Sequence, residues 1–359
     1  MRIERLRISG LRCLVDLDLH LSSAINLFIG DNGAGKTSVL EAAYLLSHAR
    51  SFRNGAKDAL LKRDARRFSV FAELHHADQT IARIGLGRES ARWQAKVDAE
   101  TVAIGQLVSQ CAVVCFEPGS HALIAGAADE RRRYLDWGVF HVEHEFLGQW
   151  RRYQRGLKQR NSLLRSESTA SDGLFEPWEM ELAQTAERID AFRQHYLDLL
   201  RPKLAECLAA LLPELGTASL RYRRGWPDDE DLSRLLKSHR SRDNARGHTT
   251  LGPHRADWSI VFERAPLREH LSRGQEKLTA MACVLAQAEL YSACRREWPI
   301  VCLDDLSSEL DQGHQAAVVT QLLGAGAQVL ITGTEAPAAM RSVPARVFHV
   351  EQGGISRLL

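Results

Sequence analysis

Residues 30–37 read Gly-Asp-Asn-Gly-Ala-Gly-Lys-Thr and fill every fixed position of the Walker A pattern G-x-x-x-x-G-K-[ST]. The apolar run 25–29 precedes this octapeptide, and the good helix formers of 38–43 follow it. A strand, a glycine-rich turn and the start of a helix are the context in which this pattern binds nucleotide phosphates. The octapeptide therefore predicts an α/β fold with a nucleotide site between a strand and a helix.

Each residue type in the motif has a physical role in holding phosphate. Glycines let the backbone curl so that successive N–H groups point at one anion, and the helix N-terminus adds its positive end. We expect Lys36 to reach the β- and γ-phosphates and to act in catalysis, and the Thr37 hydroxyl to hold Mg²⁺. The predicted residues for binding ATP or GTP are Gly30, Asp31, Asn32, Gly33, Ala34, Gly35, Lys36 and Thr37.

Composition narrows the class of protein. The chain has 359 residues, 45% hydrophobic and 26% charged, which is ordinary for a globular protein, and its length favours two lobes. Seven cysteines without C-x-x-C spacing predict free thiols in a reducing cytosol. The first seven residues alternate like a strand rather than a signal peptide, and no window is apolar enough to span a membrane. We therefore expect a cytoplasmic protein without a membrane partner.

Basic residues are clustered although the net charge is only +2. The range 151–165 holds six cations and no acid, and a second basic cluster at 221–246 is diluted by the acids of 228–231. The cations of the first cluster are Arg151, Arg152, Arg155, Lys158, Arg160 and Arg165. Such a run forms either a solvated helix face or a phosphate-binding stripe for nucleic acid. Composition leaves both alternatives open.

The spacing of apolar residues changes along the chain from strands to helices and back. Alternating or continuous apolar runs predict strands at 2–9, 14–20, 25–29, 68–75, 80–86 and 113–116. Apolar residues three or four apart predict helices from about residue 129 to 212, with a loop at 165–173 and a helix end at Pro202, beyond which helix can resume. Strands and helices alternate again from residue 251. We therefore predict a nucleotide-binding domain, called the ATPase domain below, built from residues 1–120 and 247–359, with a mainly helical insertion at 121–246.

A second motif places two acids at the end of a strand. The apolar run 299–303 is followed by Asp304 and Asp305. A carboxylate at the carboxyl end of a strand, beside a phosphate loop, is where nucleotide-bound Mg²⁺ needs a ligand. We predict that Asp304 binds Mg²⁺ together with Thr37, and that Asp305 polarises the water that attacks the γ-phosphate.

The sequence Leu-Ser-Arg-Gly-Gln at 271–275 lies at the start of a predicted helix. Ser272 and Gly274 offer a hydroxyl and an N–H to an anion, although a plain helix N-cap uses the same residue types. The order of Walker A, L-S-x-G-Q, the two acids and the segment 308–311 resembles that of the ABC ATPase superfamily. The resemblance implies that Ser272 and Gly274 bind the γ-phosphate of a second subunit in an ATP-dependent homodimer, and that Asp311 couples the two sites.

Four further segments narrow the resemblance to one family. These segments are 6–12, 49–53, 130–136 and 252–257. Together with the motifs above, and in this order along the whole chain, they resemble the RecF family of bacterial recombination mediators. SMC proteins and the long-coiled-coil break-repair ATPases would need hundreds of heptad residues in place of the insertion.

The resemblance to the RecF family implies an ATP-dependent DNA-binding protein. It implies binding to gapped DNA at junctions between single and double strands. It also implies cooperation with RecO and RecR to load RecA recombinase in DNA repair, replication restart and the SOS response. The helical insertion would then act as a lever on the DNA side, and hydrolysis would release the DNA.

Two positions depart from the usual ABC pattern. Asp305 stands where a glutamate is usual, and Thr332 or Thr334 stands in place of a switch histidine. A hydroxyl cannot act as an acid or base near neutral pH, so both changes predict slow hydrolysis, suited to a switch. Arg53 is either a phosphate contact or a surface ion pair, and Gln110 is a candidate for the glutamine of the loop between the lobes.

Two other classes of ATPase stay open. One is an ABC-type tether that binds a protein and no DNA, and whose binding would be insensitive to salt. The other is an overcoming-lysogenisation-type or nuclease-linked ATPase, which needs an acidic metal cluster outside the ATPase core. The local acidic cluster at 228–231 is more simply the first turn of a helix, where the helix dipole favours acids.

Overall fold

The computed structural model describes residues 1–53, 60–63, 65–90, 92–166, 172–337, 340 and 343–358. They form two compact units: unit 1 is Met1–His121 with Ser272–Leu359, and unit 2 is Ala122–Leu271. The chain returns to unit 1 at Ser272, whereas we predicted that it would return at residue 247. The return is later because the strand at 257–262, which we assigned to the ATPase domain, pairs with a strand of the insertion.

The chain begins mainly with strands, is mainly helical in its middle, and alternates strands with helices in its last part. The strands are β1 (Arg2–Ser9), β2 (Leu17–His20), β3 (Ile25–Ile29), β4 (Arg67–His75), β5 (Ile81–Glu89), β6 (Arg92–Val97), β7 (Glu100–Val102), β8 (Val113–Phe116), β9 (Ala218–Arg223), β10 (Asp257–Phe262), β11 (Ile300–Leu303), β12 (Val329–Gly333), β13 (Ala345–Glu351) and β14 (Gly354–Arg357). The helices are α1 (Lys36–His48), α2 (Ile104–Val108), α3 (Ala122–Ala125), α4 (Ala128–Val142), α5 (Phe146–Leu164), α6 (Asp172–Leu211), α7 (Leu232–Ser238), α8 (Arg240–Arg246), α9 (Arg273–Arg295), α10 (Leu306–Glu309) and α11 (Gln312–Gly324).

Unit 1 contains two six-stranded sheets. The first has the order β2-β1-β4-β5-β6-β7 and is antiparallel; its strands alternate buried and exposed residues because one face packs on the core. The second has the order β14-β13-β3-β12-β11-β8 and is parallel from β13 to β8. Its central strands β11 and β12 are buried throughout, which explains their continuous apolar sequences. The buried helix α1 contacts strands of both sheets and so joins them into one core.

Strand β3, which leads into the Walker A loop, has parallel neighbours from the far end of the chain. It pairs with β12 on one side and with β13 on the other. The loop is therefore supported by strands that follow it by some three hundred residues in the printed sequence. The predicted strand at 14–20 begins only at Leu17, because residues 11–14 form a turn in which the Leu14 N–H donates to the Leu11 carbonyl at 2.9 Å.

Unit 2 is built mainly from helices, with β9 and β10 as an antiparallel ribbon. Helices α5 and α6 pack closely at Gly156, where a Cβ would lie 3.3 Å from the Leu182 side chain. Helix α4 approaches α6 more closely still, since a Cβ on Gly138 would lie 2.1 Å from the Tyr196 hydroxyl. These two glycines allow the helices to pack at short range.

The length of α6 contradicts the helix end that we predicted at Pro202. This helix has 40 residues and contains both Pro177 and Pro202. A proline inside a helix removes one backbone hydrogen bond and costs about 3 kcal/mol. Leu200 and Leu204, on either side of Pro202, are buried, so packing outweighs the helix-breaking tendency of the ring. The predicted loop at 165–173 lies partly, at 167–171, outside the described residues.

Arg160, which we predicted within an exposed basic run, is buried in unit 2. Its guanidinium lies 3.1 Å from Glu179 and 2.7 Å from Asp243, and it donates to the Thr249 hydroxyl at 2.8 Å. The Arg160 and Asp243 side chains are both inaccessible to solvent. A buried charge of this kind persists only when paired and hydrogen bonded. Arg160 therefore stabilises unit 2 and does not belong to a nucleic-acid surface.

The segment 252–257, one of those that carried the family resemblance, anchors helices of unit 2. Arg131 of α4 donates to the Asp257 carboxylate at 2.7 Å. Arg193 of α6 donates to the Pro253 carbonyl at 2.8 Å. The segment thus supplies acceptors to arginines from two helices.

His254 of the same segment makes a buried contact with α5. The Tyr153 hydroxyl lies 2.6 Å from His254 Nδ1, and His254 Nε2 lies 3.1 Å from the Thr249 carbonyl. Because a carbonyl only accepts, Nε2 carries the proton and Nδ1 accepts from Tyr153. Burial lowers the pKa of His254 to about 4, so the ring is neutral at physiological pH.

Three further predictions concern the acidic cluster, the cysteines and membrane-spanning helices. Asp231, in the acidic cluster, is the N-cap of α7, and its side chain accepts from the Arg234 N–H at 2.9 Å. All seven cysteines are free thiols. Within the described ranges, no helix has the length and apolar character needed to cross a bilayer.

Candidate nucleotide site

The loop between β3 and α1 has the backbone that its glycines permit. Gly30, Gly33 and Gly35 have φ angles of +154°, +82° and +117°, which residues with a side chain rarely adopt. A Cβ on Gly30 would also lie 2.1 Å from the Val350 carbonyl of β13. Both the φ angle and the lack of space therefore require glycine at this position. Gly35 is the N-cap of α1 and brings no side chain to the helix N-terminus. That helix end is therefore free to meet an anion.

Lys36 and Thr37 begin α1 and lie at opposite edges of the loop. Lys36 Nζ donates to the carbonyls of Gly30 at 2.7 Å and Asp31 at 2.9 Å, which holds the ammonium group over the loop backbone. Thr37 Oγ1 lies 2.9 and 3.1 Å from the two carboxylate oxygens of Asp304. The two motifs, which are 267 residues apart in sequence, therefore meet at one hydrogen-bonded contact.

The remaining loop residues differ in their exposure to solvent. Asp31, Asn32 and Gly33 are exposed at the rim, whereas Ala34 is buried. The Ala34 carbonyl accepts from the Gly353 N–H at 2.9 Å, in the turn between β13 and β14. The eight predicted phosphate-binding residues thus lie in one loop and the first two positions of α1, and the turn between the last two strands supports that loop.

Asp304 is buried beside the loop and its carboxylate is held by two hydroxyls. Thr332 Oγ1 donates to it at 2.6 Å, in addition to the contact with Thr37. Burial raises the pKa of Asp304, and the hydrogen bonds from Thr332 and Thr37 partly oppose this rise. Thr332 also accepts from the backbone N–H of Asp305 at 2.9 Å, so that one hydroxyl bridges both acids.

The structure distinguishes the two threonines that we considered in place of a switch histidine. Thr332 is 1% exposed, and its single hydroxyl proton is directed at Asp304. Thr334, two residues further on, is exposed. Asp305 has a left-handed backbone, with φ +51°, and begins α10. Its half-buried side chain faces the same cleft as Lys36.

The cleft around these residues has a volume of about 640 Å³ and is strongly basic. Its charged lining residues are Arg12, Lys36, Arg53, Lys62, Arg63, Asp304 and Asp305. Arg12 is paired with the buried Glu41, and the other four cations against two acids create a positive potential that suits a polyphosphate. Arg53 lies close enough to Asp304 to lower the pKa of that acid, and the described residues offer it no ion pair. Of the two alternatives for Arg53, its position favours the phosphate contact.

Sequence reasoning missed the residues that hold the Arg12 side chain and the backbone of Arg53. Glu41 of α1 is fully buried and accepts from Arg12 at 2.7 and 2.9 Å. The same carboxylate accepts from the Ser51 hydroxyl, and Ser51 Oγ in turn accepts from the Arg53 N–H at 2.8 Å. This network ties both cleft arginines to the helix that follows the loop. A single glutamate within the otherwise apolar run 39–46 was the sequence signal that would have found it.

The L-S-x-G-Q segment forms a capped helix end on the surface of unit 1. Ser272 is the N-cap of α9: its hydroxyl accepts from the Gln275 N–H at 3.2 Å, and Gln275 Oε1 accepts from the Ser272 N–H at 3.0 Å. Ser272 and Gly274 are exposed. The hydroxyl proton of Ser272 is not used by this capping box. The segment therefore satisfies the plain N-cap interpretation and still presents a donor to solvent.

Helix α9 is joined to the residues after the two acids by an ion pair. Lys277 Nζ lies 2.8 Å from the Glu309 carboxylate at the end of α10. Both groups are largely buried, with 29% and 10% of their side chains exposed. Asp311 follows and is the N-cap of α11, where its carboxylate accepts from the His314 N–H at 3.0 Å. Helix α9, which follows the L-S-x-G-Q segment, is thus in direct contact with the segment 308–311 of the same subunit.

Gln110 lies away from the candidate site, which contradicts its assignment to the loop between the lobes. It precedes the amino end of β8, whereas Asp304 follows the carboxyl end of the parallel strand β11. Glu117 lies at the correct end of β8, since the Asp304 N–H donates to the carbonyl of the preceding Phe116 at 2.8 Å. Burial, with the nearby charges of Asp304 and Glu309, raises the pKa of Glu117. An acid therefore stands where we looked for a glutamine.

The donor set matches a magnesium-bound nucleoside triphosphate. Hydroxyl and carboxylate oxygens, as in Thr37 and Asp304, are ligands that Mg²⁺ accepts alongside phosphate oxygens and water. Lysine, arginines and a free helix N-terminus are the groups that bind phosphate anions. The residues present therefore fit both parts of such a ligand.

Comparisons with known proteins agree with this geometry. A family model described as the RecF/RecN/SMC N terminal domain matches residues 2–356. A solved SMC head, bound to the C-winged helix domain of ScpA, superposes with a TM-score of 0.58 at 14% identity, over 100% of this chain and 97% of that chain. The latter likeness shows the fold alone. Fold and site together define an ATPase head of the ABC and SMC type, which confirms the predicted fold class.

Two further relatives identify the branch of this class. The DNA replication and repair protein RecF of Xanthomonas euvesicatoria is 47% identical over 365 residues, which cover 99% of each chain. A solved structure of the recombination mediator protein RecF with ATP, of the RecFOR pathway, superposes with a TM-score of 0.91 at 26% identity, over 99% of this chain and 97% of that chain. The chain belongs to the RecF family.

Proposed function

We propose that this protein is an ATP-dependent switch in DNA replication and repair, and that the cleft of unit 1 binds ATP with Mg²⁺. The observation that carries the proposal is the contact of Thr37 with Asp304, which brings a phosphate loop and a buried carboxylate together. The similarity to a RecF structure with ATP supports the choice of ATP over GTP.

The residues of the cleft have separate tasks in this proposal. The loop backbone and Lys36 hold the β- and γ-phosphates, while Thr37 and Asp304 hold Mg²⁺, which supplies charge neutralisation when bound. Asp305 orients and polarises the attacking water, and Arg53 adds positive charge beside the phosphates. Asp305 is shorter than a glutamate by one methylene, and we therefore expect slow hydrolysis.

The exposed L-S-x-G-Q segment supports assembly of two subunits on ATP. In the described residues, Ser272 and Gly274 make no contact with the phosphate loop of their own chain. We infer that they meet the γ-phosphate bound by a second copy, so that two ATP molecules hold a homodimer together. The contact of Lys277 with Glu309 would connect this trans contact to Asp305 of the same subunit.

Membership of the RecF family supports DNA as the macromolecular ligand. We propose that the dimer binds gapped DNA at junctions of single and double strands in the cytoplasm. Its partners would then be RecO- and RecR-like mediators, with RecA as the recombinase that is loaded. An ABC-type tether that binds protein alone is the alternative, and salt dependence separates the two because phosphate contacts weaken steeply with salt.

Sedimentation of the purified protein with labelled gapped DNA tests this function. Mixtures with and without ATP and Mg²⁺ are compared at two salt concentrations, with Lys36→Arg as the control. We expect wild-type dimers only with ATP, and DNA binding that weakens at high salt. The variant should lose the dimer because a guanidinium does not replace the compact ammonium charge. A nucleotide-indifferent monomer that ignores DNA would contradict the proposal.

A further inference from the structure

The structure divides the six cations of the 151–165 run by what they contact. Arg152 pairs with Glu181 at 2.8 Å, Arg160 is buried, and Arg165 donates to the Gly247 carbonyl at 3.4 Å. The remaining three make no ion pair or hydrogen bond with their side chains in the described part of the chain, and all three are exposed. These are Arg151, Arg155 and Lys158, and we name them the α5 cationic face.

Helix geometry places these three cations on one side of α5. Intervals of four and three residues return a side chain to nearly the same direction at 3.6 residues per turn. The three span about 10 Å of the helix axis, since each residue rises about 1.5 Å. Duplex DNA carries one negative charge per about 1.7 Å of its axis, so this length of helix faces several phosphates.

Neighbouring acids do not neutralise the α5 cationic face. Helix α5 itself contains no acid. On α6, Glu179 is held by Arg160 and Arg240, and Glu181 is held by Arg152. Glu181 is hydrogen bonded to Arg152, and Arg155 adds only a weaker through-space attraction. The positive charge is therefore left for an external anion.

The aromatic residues of α5 are turned away from this face. Phe146 and Tyr153 are buried, and Trp150 stacks between them with ring centroids at 6.2 and 5.9 Å. Arg193 of α6 lies over the Trp150 ring, at 5.6 Å from its centroid. Trp150 is only half-buried, but its ring is engaged by these contacts and does not lie among the three cations. The α5 cationic face therefore has no ring of its own to stack on unpaired bases, which is how many proteins bind single strands. Its chemistry suits phosphate contact without base reading.

We propose that the α5 cationic face contacts the phosphate backbone of DNA and reads no base. The proposal rests on the proposed DNA-binding function and assigns that function to a particular surface. The solvated-face interpretation, which the sequence left open, is the outcome against which it is tested.

The test compares the salt dependence of DNA binding in variants that change exposed lysines and arginines. Lys158→Gln removes one cation of the face, and the triple variant Arg151→Gln, Arg155→Gln and Lys158→Gln removes all three. Lys96→Gln is the matched control, because Lys96 is an exposed lysine of β6 in unit 1. Affinity for gapped DNA is measured in the presence of ATP across a range of salt. Thermal unfolding and ATP binding are measured alongside and should not change.

Each outcome decides the proposal. We expect the slope of log affinity against log salt to shrink by about 1 for Lys158→Gln, by about 3 for the triple variant and not at all for Lys96→Gln. Binding by the wild type with an unchanged slope in the triple variant would overturn the surface assignment and leave the proposed function standing. Equal losses in Lys158→Gln and Lys96→Gln would reveal a general charge effect, which also overturns it. Absence of salt-sensitive binding by the wild type would remove the DNA-binding function itself.

Discussion

The hydroxyl of Thr332 is fully used inside the candidate site. It donates to Asp304 at 2.6 Å and accepts from the Asp305 N–H at 2.9 Å. The second contact fixes the backbone of Asp305 in a left-handed conformation that a residue with a side chain seldom adopts. We infer that Thr332 is a positioning residue for both acids, and that it does not replace the switch histidine.

Replacement of Thr332 by valine tests this role. Valine has nearly the same shape but no hydroxyl, so a hydrogen bond to a carboxylate worth about 1.5–3 kcal/mol is lost. If that bond acts in the transition state, the rate of hydrolysis should fall by about tenfold to a hundredfold. Thr332→Ser should keep most activity. Single-turnover hydrolysis and nucleotide affinity are measured, and equal rates in the two variants would show that the hydroxyl has no such role.

His254 should make the stability of the protein depend on pH. Its pKa is about 4 in the folded state against about 6.5 in an unfolded chain, so the unfolded state binds more protons between these values. The stabilisation is fully present above pH 6.5 and is lost as the pH falls through 4. We expect this residue to lower the free energy of unfolding by about 3 kcal/mol between pH 7 and pH 4.

Denaturant unfolding of the wild type and of His254→Gln measures this contribution. Glutamine can still accept from Tyr153 and donate to the Thr249 carbonyl, but it does not titrate. The difference in unfolding free energy between the two proteins should therefore shrink or change sign toward low pH. Parallel pH profiles for the two proteins would show that His254 does not carry the effect.

At the residue scale, the role of a residue could be predicted where it depends on adjacent residues, and was missed where it depends on a partner far away in the sequence. The Walker A octapeptide and the acids after β11 could be found because each role depends on adjacent residues. Arg160 looks like any exposed arginine until Asp243, 83 residues away, is placed beside it. The roles of Thr332 and Glu41 likewise depend on partners that only the folded chain brings within hydrogen-bonding distance.

At the scale of elements, Pro202 shows packing prevailing over local preference. The proline is exposed, and the carbonyl of Asp198, four residues earlier, receives no N–H from it. Pro202→Ala restores that donor and removes the clash of the ring. We expect the free energy of unfolding to rise by about 1 kcal/mol or more.

Thermal and denaturant unfolding check the expectation for Pro202→Ala. Pro213→Ala is the control, because Pro213 begins a short 3₁₀ turn where no helical donor is required. Stabilisation by Pro202→Ala alone would agree with a helix that tolerates its proline at a cost. A lower stability for Pro202→Ala would show that the proline is favourable where it stands.

Elements were predictable where their pattern is regular and their neighbours are close in sequence. The strands β1, β3 and β8 have the predicted bounds because each has a clear run of apolar or alternating residues. Strand β10 resembled part of the ATPase domain, and only its pairing with β9 assigns it to unit 2. The short strands β6 and β7 were missed: β7 is polar at two of its three positions, whereas β6 does alternate polar and apolar residues and could have been found.

At the scale of the whole molecule, the proposed homodimer depends on the exposed L-S-x-G-Q segment, which in the described residues does not contact the phosphate loop of its own chain. Ser272→Arg adds a long cation where the proposed partner presents its γ-phosphate site. We expect ATP binding by the monomer to persist and ATP-driven dimers to disappear in sedimentation experiments. Normal ATP-driven dimers in Ser272→Arg would refute the trans contact.

Ser272→Ala separates this effect from the loss of the helix cap. It removes the hydroxyl that accepts from Gln275, which costs about 0.5–2 kcal/mol of stability, but adds no bulk or charge. We expect Ser272→Ala to dimerise more weakly than the wild type and to retain some dimer. Complete loss in both variants would point to the cap, and not to the interface, as the cause.

The position of β3 between β12 and β13 has a consequence for synthesis of the chain on the ribosome. Both strands that flank β3, and the Val350 carbonyl against Gly30, are translated some three hundred residues after the phosphate loop. A nascent chain therefore carries its most recognisable motif long before the sheet that shapes it exists. A chain cut short before β13 lacks that support, and we expect it to hold nucleotide weakly.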